Sequence, residues 1–208
     1  MTYPDKLVTI QDELMLYVPD PELVKTIYEN LLAQDAATPF PFWAKVWPSA
    51  KAMSAFLQSE PHWIQGKQVL ELGAGIGLPS FIMADHASAM IISDHAPEAV
   101  QLIEKNIQYL GLQHVQPMFL DWNHFPDDIK AETILLSDIN YAPDQFAPLL
   151  EIIRKFMEQG ATIILATPQR ITITPFAEAL QPFIKHSVLR TTRQIAHEVD
   201  IRILILSM

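Results

Sequence analysis

Val69-Leu70-Glu71-Leu72-Gly73-Ala74-Gly75-Ile76-Gly77-Leu78-Pro79 joins an apolar run, an acidic residue, three glycines at alternate positions and a second apolar segment. The order reads as strand, tight loop and helix start. The chain has only six glycines, and half of them lie in this stretch. Glycine is costly inside regular structure and useful where backbone turns sharply or approaches a ligand, so the concentration marks a binding loop.

Outward from this loop, strand-like and helix-like segments alternate. Gln68 to Leu72 precedes a helix from Leu78. Met90 to Ser93 precedes a helix over Pro97 to Leu110, closed by Gly111. Val115 to Leu120, Thr133 to Ser137 and Ala161 to Ala166 continue the strands, with helices expected over Pro143 to Gln159 and Pro175 to Ile184. These strands are apolar without alternation, as expected when helices cover both faces of a parallel sheet, which makes the class α/β. His186 to Thr192 and Glu198 to Ser207 are too close for a crossover helix, so they form an antiparallel hairpin at the sheet's end.

Upstream, Leu7 to Ile10 and Leu14 to Val18 read as a small hairpin. Asp20-Pro21 starts a helix with Leu23, Ile27, Leu31 and Leu32 on its apolar face, ending near Ala33. A segment rich in proline and aromatic residues, Thr38 to Ser49, leads into a helix from about Pro48 to Gln58. The expected organisation is one domain over 1–208. Residues 1–60 form an N-terminal hairpin and helical extension, and 61–208 form the core.

Composition narrows the function classes. Half the residues are apolar and 18% are charged, so the chain suits a single packed core. The longest apolar runs fall far short of the ~20 residues of a membrane helix. The first residues lack the pattern of a secretory signal, and zero cysteines exclude disulfides and thiolate metal sites; a cytoplasmic location fits. The seven histidines show no metal-ligand spacing, so no metal is expected. A formal net charge of −10 disfavours nucleic acid and would attract a basic partner, although acidity for solubility alone explains it as well.

Three readings compete for the glycine loop. A dinucleotide fingerprint requires a third glycine where Leu78 stands, and a nucleotide hydrolase loop requires Gly-Lys-Ser or Gly-Lys-Thr, which is absent. A carboxylate at Glu71 would oppose a pyrophosphate but suits a ligand carrying ammonium and sulfonium charge, such as S-adenosylmethionine. Asp94 ends the second strand of the alternation, 23 positions after Glu71, where a ribose diol is held in sheets of this type; it also stands where it can cap the next helix. Asp121-Trp122 closes the third strand, and the indole offers a surface for adenine, with a core role equally open. After the fourth strand, Ser137-Asp138-Ile139-Asn140-Tyr141 should face the reacting methyl group. An acceptor such as Asp138 can orient an amine that must lose a proton, and Tyr141 can pack on its alkyl stem; an Asx turn is the bland alternative. Arg170, after the fifth strand, stands at the same sheet edge.

Taken together, Phe42-Trp43 with Trp47-Pro48-Ser49, the glycine loop, Ser93-Asp94 with Pro97-Glu98, Leu120-Asp121-Trp122 and Ser137 to Tyr141 resemble the family-16 protein lysine methyltransferases, over roughly residues 40 to 170. The resemblance implies a doubly wound, mostly parallel, seven-stranded Rossmann-like sheet of order 3-2-1-4-5-7-6, with strand 7 antiparallel. It implies that Trp47 contacts the methionine end of S-adenosylmethionine, that Glu71, Gly73 and Gly75 line its amino acid portion, and that Asp94 holds the ribose. Asp121 and Trp122 would lie by the adenine and Ser137 would touch the cofactor. Asp138 and Tyr141 match the family's Asp-x-x-Tyr motif that positions the amine, with Asn140 between them. The expected activity is N-methylation of a protein lysine. A small-molecule amine substrate, or a binding module without turnover, are the alternatives.

Overall fold

A computed structural model describes residues 3–11, 14–139, 145–168, 174–194 and 197–208. Two short strands, β1 (Asp5–Gln11) and β2 (Leu14–Pro19), pair as an antiparallel hairpin. Helix α1 (Pro21–Gln34) follows, then α2 (Pro48–Ser59). The core runs β3 (Gln68–Leu72), α3 (Leu78–Met83), β4 (Ala89–Asp94), α4 (Pro97–Leu110), β5 (Val115–Phe119) and β6 (Thr133–Ser137). It continues with α5 (Phe146–Glu158), β7 (Thr162–Pro168), α6 (Thr174–Leu180), β8 (Ile184–Gln194) and β9 (His197–Leu206).

The seven-stranded sheet has the order β5-β4-β3-β6-β7-β9-β8. The first five strands are parallel and β9 runs antiparallel to both β7 and β8. Counted from β3, this is the expected 3-2-1-4-5-7-6. Successive residues of the central strands serve opposite cores: Val69, Leu135 and Ile164 face α2, α3 and α4, while Leu70, Leu136 and Leu165 face α5 and α6. Burial on both sides is the reason these strands read as apolar without alternation.

α4 buries Ala99, Leu102, Ile103, Asn106 and Ile107 along one stripe and ends at Gly111, whose left-handed φ of 69° lets its N–H reach the Gln108 and Ile107 carbonyls. Asn106 ties the N-terminal hairpin to the core. Its Oδ1 accepts from Tyr17 N at 2.7 Å and its Nδ2 donates to Tyr17 O at 3.0 Å. Lys105 adds an ion pair to Asp5 at 2.6 Å and lies 3.9 Å from the Tyr17 ring centroid.

Two local expectations are corrected. α1 keeps its Asp20 cap, which accepts from Glu22 N at 3.1 Å, but Val24 is its one buried residue, and Leu23 and Leu32 are exposed. The helix lies on its Val24 side and leaves much of the expected face in solvent. α6 ends at Leu180 rather than at Ile184, because Pro182 cannot continue the helix; a 3₁₀ turn at Gln181–Phe183 follows and Ile184 opens β8.

Candidate active site

The strand order reverses between β3 and β6, and ligands of open α/β sheets bind at such a point outside the carboxyl ends of the strands. The glycine loop leaves β3 there. Gly73, Gly75 and Gly77 all take left-handed φ values, of 61°, 56° and 79°. A methyl group on Gly73 would lie 2.9 Å from Ile139 and 3.4 Å from Trp122, so only glycine lets the loop pass between the ends of β5 and β6. A methyl on Gly75 would lie 3.0 Å from the Trp43 carbonyl oxygen, which puts the N-terminal segment directly on the loop.

Asp94, at the end of β4, is buried and holds this arrangement through both oxygens. Oδ2 accepts from Gly75 N at 2.8 Å and Oδ1 from Ala96 N at 2.9 Å. It is not the helix cap anticipated from its position: the N-cap of α4 is Ala96, with no side-chain capping bond. Glu71 is fully buried on the α3 side of β3, where Oε2 accepts from Ser80 N at 3.3 Å. Among the described residues Oε1 has no hydrogen-bond partner. Burial, aided by the negative charge of Asp94 and opposed by the Ser80 contacts, pushes the Glu71 carboxyl up to about 7.

Trp122 lies half-buried after β5, against Gly73 and the second core. Asp121 is turned into its own loop instead. Its carboxylate accepts from Asn123 N at 2.9 Å and pairs with His124 Nδ1 at 3.0 Å, and these contacts hold it down at about 2. At the end of β6, the Ser137 hydroxyl is buried without a partner among the described residues. Asp138 follows, nearly buried, with a left-handed φ of 56° and its N–H donating to Ala166 O at 2.9 Å. Left-handed backbone in a non-glycine residue is strained and gathers at functional sites. Trp47 is half-buried at the start of α2, its Nε1 donating to Phe42 O at 2.8 Å. Asn140, Tyr141 and Arg170 lie outside the described residues.

The structure therefore brings Glu71, Gly73, Gly75, Asp94, Trp122, Ser137 and Asp138 to one sheet edge and commits Asp121 to a local turn. Trp43 was not among the residues singled out for the site. No local pattern points to its backbone contact with Gly75, which joins segments 32 positions apart in sequence.

A family model for lysine methyltransferases matches residues 32–187, three quarters of the chain. The chain belongs to the lysine methyltransferase family. Among curated relatives, it is 30% identical to the human histone-arginine methyltransferase METTL23 over 126 residues, 58% of this chain and 66% of that protein. It is 29% identical to an Arabidopsis thaliana calmodulin-lysine N-methyltransferase over 67% of this chain and 47% of that one. The human electron transfer flavoprotein beta subunit lysine methyltransferase is 27% identical, over 74% of this chain and 60% of that protein. The chain thus spans about half to two thirds of the length of these relatives. Among solved structures, N-methyltransferase NodS of Bradyrhizobium japonicum in complex with S-adenosyl-L-homocysteine superposes with a TM-score of 0.63, at 13% identity, over 87% of this chain and 98% of that one. At such identity the likeness is one of fold.

This family's cofactor is S-adenosylmethionine, and the residues present fit it. Glu71 offers an unmatched buried carboxylate oxygen to an ammonium group, and Asp94 keeps lone pairs for a diol beside the Gly75 amide. Among the described residues no helix is long and apolar enough to cross a membrane, and no three His, Asp or Glu side chains are grouped to hold a metal.

Proposed function

We propose that this chain methylates the side-chain amine of a lysine in a protein substrate. The observation that carries the proposal is the joining of the glycine loop to the ends of three strands, with Asp94 on Gly75 N, Trp122 against Gly73 and Asp138, in left-handed backbone, directly after β6. S-adenosylmethionine supplies a methyl group on a cationic sulfur, an electrophile that needs no further activation. Glu71, Gly73 and Gly75 bind its amino acid portion with Trp47, Asp94 binds its ribose, Trp122 flanks its adenine and Ser137 donates a hydrogen bond.

The residues after β6 handle the acceptor. A lysine amine has an ordinary pKa near ~10.4, so it must shed a proton before its lone pair can react. Asp138 accepts a hydrogen bond from the amine and orients its lone pair, with Tyr141 and Asn140 as its proposed partners in handling the acceptor. Asp121, held in its own turn, shapes the position of Trp122.

The acidic balance and the relatives named for protein substrates support a protein acceptor over nucleic acid. The test is methyl transfer from radiolabelled S-adenosylmethionine into a lysate of the source cell, with mass spectrometry of the labelled residue. A labelled lysine in a protein band is the expected outcome. Label on arginine, or only in the small-molecule fraction, would refute the lysine assignment.

A further inference from the structure

Four aromatic rings form a continuous row from α1 to the edge of the site. Tyr28 meets Phe40 edge-on at 5.1 Å, Phe40 meets Phe42 at 4.9 Å, and Phe42 meets Trp47 at 6.0 Å. Phe40 is 48% exposed and Phe42 40%. Along α1 the row is extended by the stripe Val24, Tyr28, Leu32, which passes from buried through half-buried to exposed. Single exposed apolar side chains are ordinary, whereas rings in mutual contact that stay exposed together make a patch. The patch also leads somewhere. Trp47 is the residue placed at the methionine end of the cofactor, and the backbone of Trp43 rests on Gly75.

We infer that this row docks the segment of the protein substrate that carries the methyl-accepting lysine, by covering an apolar side chain beside that lysine. The inference rests on the methyltransferase reading. Charge selects among occupants. Asp20, Glu22, Glu29 and Asp35 lie on or next to α1, where Lys6 pairs with Asp20 and Lys25 with Glu29, and Lys45 lies 4.6 Å over the Trp47 ring, so four acidic groups meet three lysines here, on a chain of net charge −10. A basic segment is drawn to such a surface, whereas a second copy of the chain and an anionic membrane are both repelled. Polar flanks would leave Phe40 and Phe42 wet, so the preferred segment combines a lysine with an apolar neighbour.

The test uses the full chain and two fluorescein-labelled nonapeptides of equal positive charge, each with a central lysine, flanked by leucines in one and by serines in the other. Fluorescence polarisation without cofactor should show the leucine peptide binding at least five-fold more tightly. The double variant Phe40→Ser/Phe42→Ser should lose that preference. Leu189→Ser, at an exposed apolar residue on β8, should keep it. S-adenosylmethionine affinity, measured by calorimetry on the same preparations, should be equal in all three and shows that the variants are folded. Equal affinity for both peptides, or a preference that survives the double substitution, overturns the docking surface alone. A wild-type dimer in sedimentation that dissociates in the double variant overturns it in favour of a second copy. Failure of the wild type to bind S-adenosylmethionine overturns the methyltransferase reading and the substrate role with it, whatever the peptides do.

Discussion

At Glu71 stability and binding pull in opposite directions. Its carboxyl is pushed from the ordinary 4.5 up to about 7, so between those values the folded state keeps a proton that the unfolded chain has lost. The protonated side chain favours the fold fully below about pH 4.5, and this support is lost as the pH rises to about 7. Glu71→Gln mimics the neutral form, and at pH 8 it is expected to raise stability by up to about 3 kcal/mol, with little change at pH 5. Urea denaturation at both values checks this; an equal gain at both would refute the assigned cause. The same substitution should weaken S-adenosylmethionine, because the negative charge is gone. Asp94→Ala should weaken it too, by about 1 to 3 kcal/mol, through loss of the acceptor for Gly75 N. Asp138→Gly should relieve its left-handed backbone, leave cofactor affinity intact and lower turnover, with a gain of up to about 1 kcal/mol in stability. Unreduced turnover would move the acceptor role elsewhere.

The glycine loop acts as an element through what crowds it. A methyl on Gly75 meets backbone of Trp43, which cannot swing aside as a flexible side chain can, whereas a methyl on Gly111 meets nothing within 4 Å. Gly111→Ala should therefore cost only left-handed strain, about 1 kcal/mol, and leave cofactor affinity unchanged. Gly75→Ala should cost about twice as much and lower affinity at least ten-fold by lifting the 38–49 segment off the loop; calorimetry on both variants measures the contrast. Elements of this kind were legible where one physical demand dominates. Strands buried on both faces carry an unbroken apolar run, and α4 shows its cap glycine and stripe openly. The buried side of α1 was not legible, since two overlapping stripes are apolar and sequence does not say which one meets the core. The end of α6 was obscured by apolar residues on both sides of Pro182.

For the whole molecule, strand order followed from the resemblance, while the parallel sheet and the terminal hairpin followed from spacing. The joining of the N-terminal segment to the core followed from neither, because it depends on single contacts between distant residues. Asn106 satisfies both backbone groups of Tyr17 across 89 positions of sequence. Asn106→Leu should leave two buried backbone groups unmatched and cost about 2 to 3 kcal/mol, with hydrogen exchange rising first in the hairpin. The tie also sets an order in time. During synthesis the hairpin leaves the ribosome long before its anchor on α4 exists, so it stays open to proteases until residue 106 has emerged. The hairpin is thus secured only once α4 has been made, when two of the seven strands of the sheet, β3 and β4, precede it, and pulse-labelled amides of Tyr17 should gain protection later than those of α4.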